Sequence, residues 1–226
     1  MKARTPLRLL VVAGAALLLL ACGIFGRPSA DLSALDNRVE QLLSARGETV
    51  VLPSGQHGRL SEGDGVGIDG AGQAELDLGG CILSIYRDSG LTIEGIPSRS
   101  APVCIVDFEQ GTIYNRVERK TVVNTEWAVI SSLSTEFLVH LDRARGIVWV
   151  VVHDGVVQVE AAGVTVILLA DQQTWVWRGQ RPEQPRPATR DAVGDLFPPI
   201  DDLTNGRLPD PRQARQAVCA LLGQAT

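Results

Sequence analysis

"VWVVVHDGVVQVEAAGVTVILLADQQ", residues 148–173, decides the fold. It opens inside Ile147–Val152, a wholly apolar run of the kind a central strand shows when both of its faces are covered. His153-Asp154-Gly155 follows, and then a second valine-rich run. Asp-Gly between two such runs predicts a hairpin, because both turn residues tolerate positive φ. Ala161-Ala162-Gly163 marks the next turn.

The same grammar extends outward on both sides. Ala74, Leu76 and Leu78 alternate with Glu75 and Asp77; Leu91 and Ile93 alternate with Thr92 and Glu94; Phe137, Val139 and Leu141 are spaced two apart. Period-two patterning over short spans predicts half-buried strands. Gly70-Ala71-Gly72 is a further turn signal. Short strands with turns about every ten residues predict an all-β domain over residues 49–178. The expected architecture is mainly β: short antiparallel strands in a solenoid-like roll, with a β-sandwich as the alternative and helices flanking both ends.

The flanks read differently. Ser29–Arg46 predicts an amphipathic helix, capped by Ser29, with Leu32, Leu35, Val39, Leu42 and Leu43 at helical spacing and Gly47 after it. Residues 179–226 form a tail. Gln180–Pro187 holds three prolines in eight residues and reads as an extended linker. Asp210–Gly223 predicts a second helix, with Pro211 at its first position and Cys219 within its apolar stripe region.

Residues 1–21 read as a targeting segment. Lys2, Arg4 and Arg8 precede the unbroken apolar run Leu9–Ala21, which is too short to span a bilayer core as a helix. Leu19-Leu20-Ala21-Cys22 resembles the bacterial lipobox. That resemblance implies cleavage before Cys22 and lipidation of its thiol, with residues 22–28 as a tether. The chain would then be extracytoplasmic and lipid-anchored to a bacterial membrane. Without the leader, 205 residues remain, with 18 basic against 26 acidic groups. An acidic chain without a Lys/Arg block lacks the positive footprint of a nucleic-acid binder. Outside the cytoplasm Cys81 and Cys104, each in an apolar strand-like run, are candidates for a disulfide. The alternative is that they pack as buried thiols. Spacing of the cysteines and histidines offers no zinc site.

From Glu62 to Val176 the order of strands and turns resembles a FecR-like domain, the extracytoplasmic module named for the ferric-citrate regulator. "EGDGVGIDGAGQAELDLGGCILSI" (62–85) is similar to that family's opening strands. "VVNTEWAVISSLSTEFLVHL" (122–141) is similar to its paired segment, and residues 148–173 to its close. Five residues, at four places, depart from the pattern. Glu126 stands for the usual proline, Leu133-Ser134 for Arg-Gly, Asp171 for the glycine before the last Gln, and Gly79 for a turn aspartate. In the ferric-citrate regulator a cytoplasmic part handles a sigma factor. Here eight residues precede the apolar run, so the resemblance implies an envelope-facing interaction module only.

Catalytic patterns are not found in the sequence. Ser131, Ser132 and Ser134 lack a Gly-x-Ser-x-Gly frame. His57 lies in a polar segment, and His140 and His153 lie in or beside strands; His153 and Asp154, as strand neighbours, would face opposite ways. Asp201-Asp202 reads as a solvated acidic loop. No cofactor or metal is expected. Trp175 and Trp177, two apart on a strand-like segment, share a face and are candidate ligand-binding residues. The expectation is a non-enzymatic envelope lipoprotein acting as a protein-interaction, scaffold or regulatory module. The alternative is a module binding cell-wall glycan or polymer.

Overall fold

The computed structural model describes residues 28–36 and 38–188. The chain is mainly β, and the described residues form no α-helix. The strands are β1 (Ala30–Asp36), β2 (Val39–Leu43), β3 (Glu48–Leu52), β4 (His57–Leu60), β5 (Gly65–Ile68), β6 (Gln73–Asp77), β7 (Cys81–Ile85), β8 (Ser89–Gly95) and β9 (Val103–Val117), followed by β10 (Lys120–Asn124), β11 (Val129–Ser132), β12 (Thr135–Asp142), β13 (Ile147–Asp154), β14 (Val156–Ala161), β15 (Val164–Leu169), β16 (Gln172–Trp177) and β17 (Arg186–Pro187).

Pairing sorts them into two open sheets that share β9. The first runs β4-β1-β6-β7-β9-β12-β13-β16-β17. The second runs β3-β2-β5-β8-β9-β10-β11-β14-β15. Every pairing is antiparallel except β9 with β10. The chain winds back and forth between the sheets, one or two strands at a time. Period-two patterning produces this directly. Ala74, Leu76, Phe137, Val139, Val157 and Val159 all sit in one apolar core.

Ala30–Asp36 and Val39–Leu43, within the span expected to be helical, do not form a helix. They make β1 and β2, so the β domain begins at Ala30 rather than residue 49. The leucine spacing fits a helical stripe, but the residues buried in β1 are Ala30, Leu32 and Ala34, a period of two. In β2 Val39 and Gln41 are buried while Leu42 is exposed. β1 is held between β4 and β6, and β2 between β3 and β5. Two ladders of backbone hydrogen bonds per strand, with alternate side chains buried, outweigh a propensity difference of a few tenths of a kcal/mol per residue.

β9 fastens the sheets together. Its first half pairs with β8 and β10, its second half with β7 and β12. The change occurs at Gly111, where φ is +91°. A Cβ there would stand 2.6 Å from the Asp88 carbonyl oxygen, so only glycine fits. A disulfide joins Cys81 on β7 to Cys104 on β9, across the interior, with Cα atoms 6.5 Å apart and both residues fully buried.

Asp154-Gly155 is not a hairpin turn. β13 pairs with β12 and β16, whereas β14 pairs with β11 and β15, so this turn carries the chain from one sheet to the other. Asp-Gly supplies the positive φ at Gly155 but does not dictate which strands pair. The hairpin lies one turn later. Ala162 and Gly163 both have positive φ and join β14 to β15, with Ala161 opposite Val164. Residues 147–152 behave as their composition predicts, with Val148–Val152 buried on both faces of β13.

Candidate interaction site

Trp175 and Trp177 lie on one face of β16, and the chain's own proline-rich segment lies beside them. Trp149 stands opposite Trp175 in the ladder. Their rings stack with centroids 5.5 Å apart. On the other side of Trp175, the Arg186 guanidinium sits 3.9 Å from the ring centroid. Gln173 ties this group together: its Oε1 accepts from Trp149 Nε1 at 3.0 Å and its Nε2 donates to the Pro187 carbonyl at 2.9 Å. Trp177 Nε1 donates to Glu183 Oε1 at 2.9 Å, and Glu183 pairs with Arg186 at 3.7 Å. The Glu183 N–H also donates to the Trp175 carbonyl. Both faces of Trp175 are therefore occupied from within the chain. A sugar could stack on it only by displacing Arg186.

The histidines are separate from one another. His57 shares a hydrogen bond with Ser33 (2.9 Å) at the exposed end of β4. His140 shares one with the Thr112 hydroxyl (2.9 Å) on the outer face of the first sheet. Burial holds its pKa below the usual histidine value; the Asp142 carboxylate works in the opposite sense, Arg145 adds to the lowering, and a hydrogen bond to the Gly111 backbone opposes it. Nearby, Tyr114 donates to Glu136 at 2.9 Å, and burial, followed by that carboxylate, raises the phenol pKa strongly. Glu136 borders a cleft of about 550 Å³ together with Asp77, Glu118, Asp154 and Arg116. Arg116 is held by Glu75 at 3.4 Å. Among the described residues no group of three or more His, Cys, Asp or Glu is arranged to hold a metal ion.

The exposed surface of the second sheet is of another kind. Leu169 stands opposite Val156, and Ile167 opposite Gln158. Leu133 follows Ser132, the partner of Val157 in the next ladder. These four apolar side chains are 53% (Leu169), 48% (Val156), 48% (Ile167) and 66% (Leu133) exposed. They form an apolar strip at one end of the sheet. Singly exposed apolar residues need no explanation; four on neighbouring segments are a candidate contact surface.

Solved structures are similar in fold. Two crystal structures, at 2.50 Å and 1.65 Å resolution, of a "putative anti-sigma factor" from Parabacteroides distasonis ATCC 8503 are similar to it, with TM-scores of 0.50 and 0.49. Each match has 16% identity and covers 62% of this chain and 70% of the other. At that identity the likeness is one of fold. No family model matches the sequence, and no curated protein does.

Of the residues singled out from sequence, Cys81 and Cys104 are brought together and Trp175 and Trp177 share a face. Cys22, Cys219, Asp201, Asp202 and the helix expected at 210–223 lie outside the described residues. Among the described residues no helix is long and apolar enough to cross a membrane. Sequence reasoning missed Trp149, Gln173 and Arg186 as partners of Trp175. Trp149 shares its parity with Val151 on a strand buried on both faces, which was the available signal. Arg186 gave none, since a Pro-rich segment does not reveal where it docks.

Proposed function

We propose that this chain is a non-enzymatic envelope lipoprotein that acts as a protein-interaction or regulatory module, through a FecR-like β domain anchored by lipid at Cys22. The observation that carries the reading is the exposure of four apolar side chains, Leu133, Val156, Ile167 and Leu169, at one end of the second sheet. The buried Cys81–Cys104 disulfide supports an oxidising, extracytoplasmic setting, because cytosolic thiols are kept reduced. The fold likeness to a protein described as a "putative anti-sigma factor" supports a regulatory role through protein contacts. The partner would be another envelope protein, with no nucleic acid and no cofactor involved.

The glycan-binding alternative has less support. Its platform, Trp175 and Trp177, is engaged by Arg186 and Glu183. To test the interaction reading, a photo-crosslinking amino acid is placed at Leu133 in the full chain in its host. A discrete protein adduct that disappears on Val156→Lys is expected. Adducts to wall polymer alone, or none above a probe at exposed Glu48, would overturn it.

A further inference from the structure

Of the four strands that end the two sheets, β15 differs from the rest. β4 carries His57 and Arg59, β17 carries Arg186 and Pro187, and β3 carries Glu48. Charge and proline are the usual devices that stop an edge from recruiting another strand. β15 reads Val-Thr-Val-Ile-Leu-Leu and has none of them. Among the described residues it is paired through β14 alone.

The direction of its free backbone groups can be derived. The Leu169 N–H donates to Gln172 Oε1, away from β14. In an antiparallel strand these groups alternate sides, so Ile167 and Thr165 present theirs to the same open side. The side chains of Thr165, Ile167 and Leu169 all lie on the outer face, while Val166 and Leu168 are buried.

We infer that β15 pairs antiparallel with β15 of a second copy of this chain, across a two-fold axis at Ile167. The register follows from the pleat. Opposed residues must share a face, so residue numbers on the two strands must sum to an even number. Placing Ile167 against its own mate sets Thr165 against Leu169 and Val166 against Leu168. Outward groups then meet outward groups, and buried groups meet buried groups. Ile167 forms a doubly hydrogen-bonded pair with its mate, and the Leu169 N–H exchanges the Gln172 side chain for the Thr165 carbonyl. The apolar strip becomes continuous across the axis. Charge argues for this occupant as well. Without the leader the chain carries 18 basic against 26 acidic groups, a net charge of −8, so two copies repel over most surfaces. They can approach where the edge is neutral. A two-fold contact of this kind closes on itself as a dimer rather than a fibre.

This rests on the strip being a contact surface and names the partner at its edge. The test uses the full chain in its membrane. Ile167→Cys treated with a short bismaleimide should give a homodimer band that the parent chain lacks and that Val50→Cys on β3 also lacks. Adding Thr165→Lys should reduce that band at least tenfold, because two lysines are introduced beside the axis. Both side chains are exposed, and an unchanged circular dichroism spectrum verifies folding. A band no stronger than that of Val50→Cys, or one indifferent to Thr165→Lys, overturns the pairing. If Leu133 still crosslinks to a different protein in that case, the interaction reading survives without the dimer. A self-adduct at Ile167 with none at Leu133 supports the dimer and overturns the separate protein partner.

Discussion

The indole of Trp175 lies flat against that of Trp149, with planes 6° from parallel, and the stack is completed by Arg186 from a segment that looks like a linker in sequence. The edge of the first sheet is thereby covered by the chain itself. Prolines at 182, 185 and 187 offer no N–H to a further strand.

Removing the stack should loosen this strap as well as the sheet. Trp175→Ala should cost about 2–3 kcal/mol, combining loss of a half-buried aromatic with loss of the ring pair. Arg186→Ala should cost about 1 kcal/mol, the scale of a cation–π contact and a surface ion pair. Both should shift tryptophan emission to the red, and only Trp175→Ala should abolish the near-ultraviolet circular dichroism of coupled indoles. Urea unfolding with both spectroscopic readouts checks the pair. An Arg186→Ala variant as unstable as Trp175→Ala would mean that the guanidinium does more than cap the ring.

The disulfide should matter chiefly through the unfolded chain. It spans 23 positions, for which loop-closure entropy gives about 3 kcal/mol. Cys81→Ala with Cys104→Ala should lower stability by about that amount without changing the fold. Cys81 also lies 3.2 Å from the Thr121 hydroxyl. A serine hydroxyl at position 81 would meet Thr121, so the single variant Cys81→Ser, which also breaks the bond, should be about as stable as the double one. Thermal melts with and without reductant decide this, and the reductant should have no effect on the double variant.

Most of the β content was legible because burial writes a period of two into the sequence, as at Ala74–Leu78 and Phe137–Leu141. The N-terminal strands were not, because Leu32, Leu35, Val39, Leu42 and Leu43 satisfy a helical period equally well. What separates the two readings is the pairing of β1 with β4 and β6, a tertiary fact. Asp154-Gly155 misleads for the same reason: a turn signal records backbone φ, whereas strand partnership depends on distant segments. Among the site residues, the shared face of Trp175 and Trp177 follows from alternation. That Arg186 would fill the space above Trp175, and that β15 would be left at an edge, depend on topology that no local pattern encodes.

His140 should make the protein more sensitive to acid. Burial, the largest influence, lowers its pKa below the ordinary 6.5, against the pull of Asp142 and the Gly111 backbone. Above 6.5 the imidazole is neutral in both folded and unfolded chains and has no effect. Below 6.5 the unfolded chain takes up the proton and the folded chain resists, so the unfolded state binds more protons and stability falls with pH. The loss continues until pH drops to the folded pKa. His140→Gln keeps a polar group near Thr112 but cannot titrate. The denaturant midpoint of the parent chain should therefore fall more steeply than that of the variant between pH 6.5 and 5. Parallel slopes would show that Asp142 and the Gly111 hydrogen bond offset the burial in full.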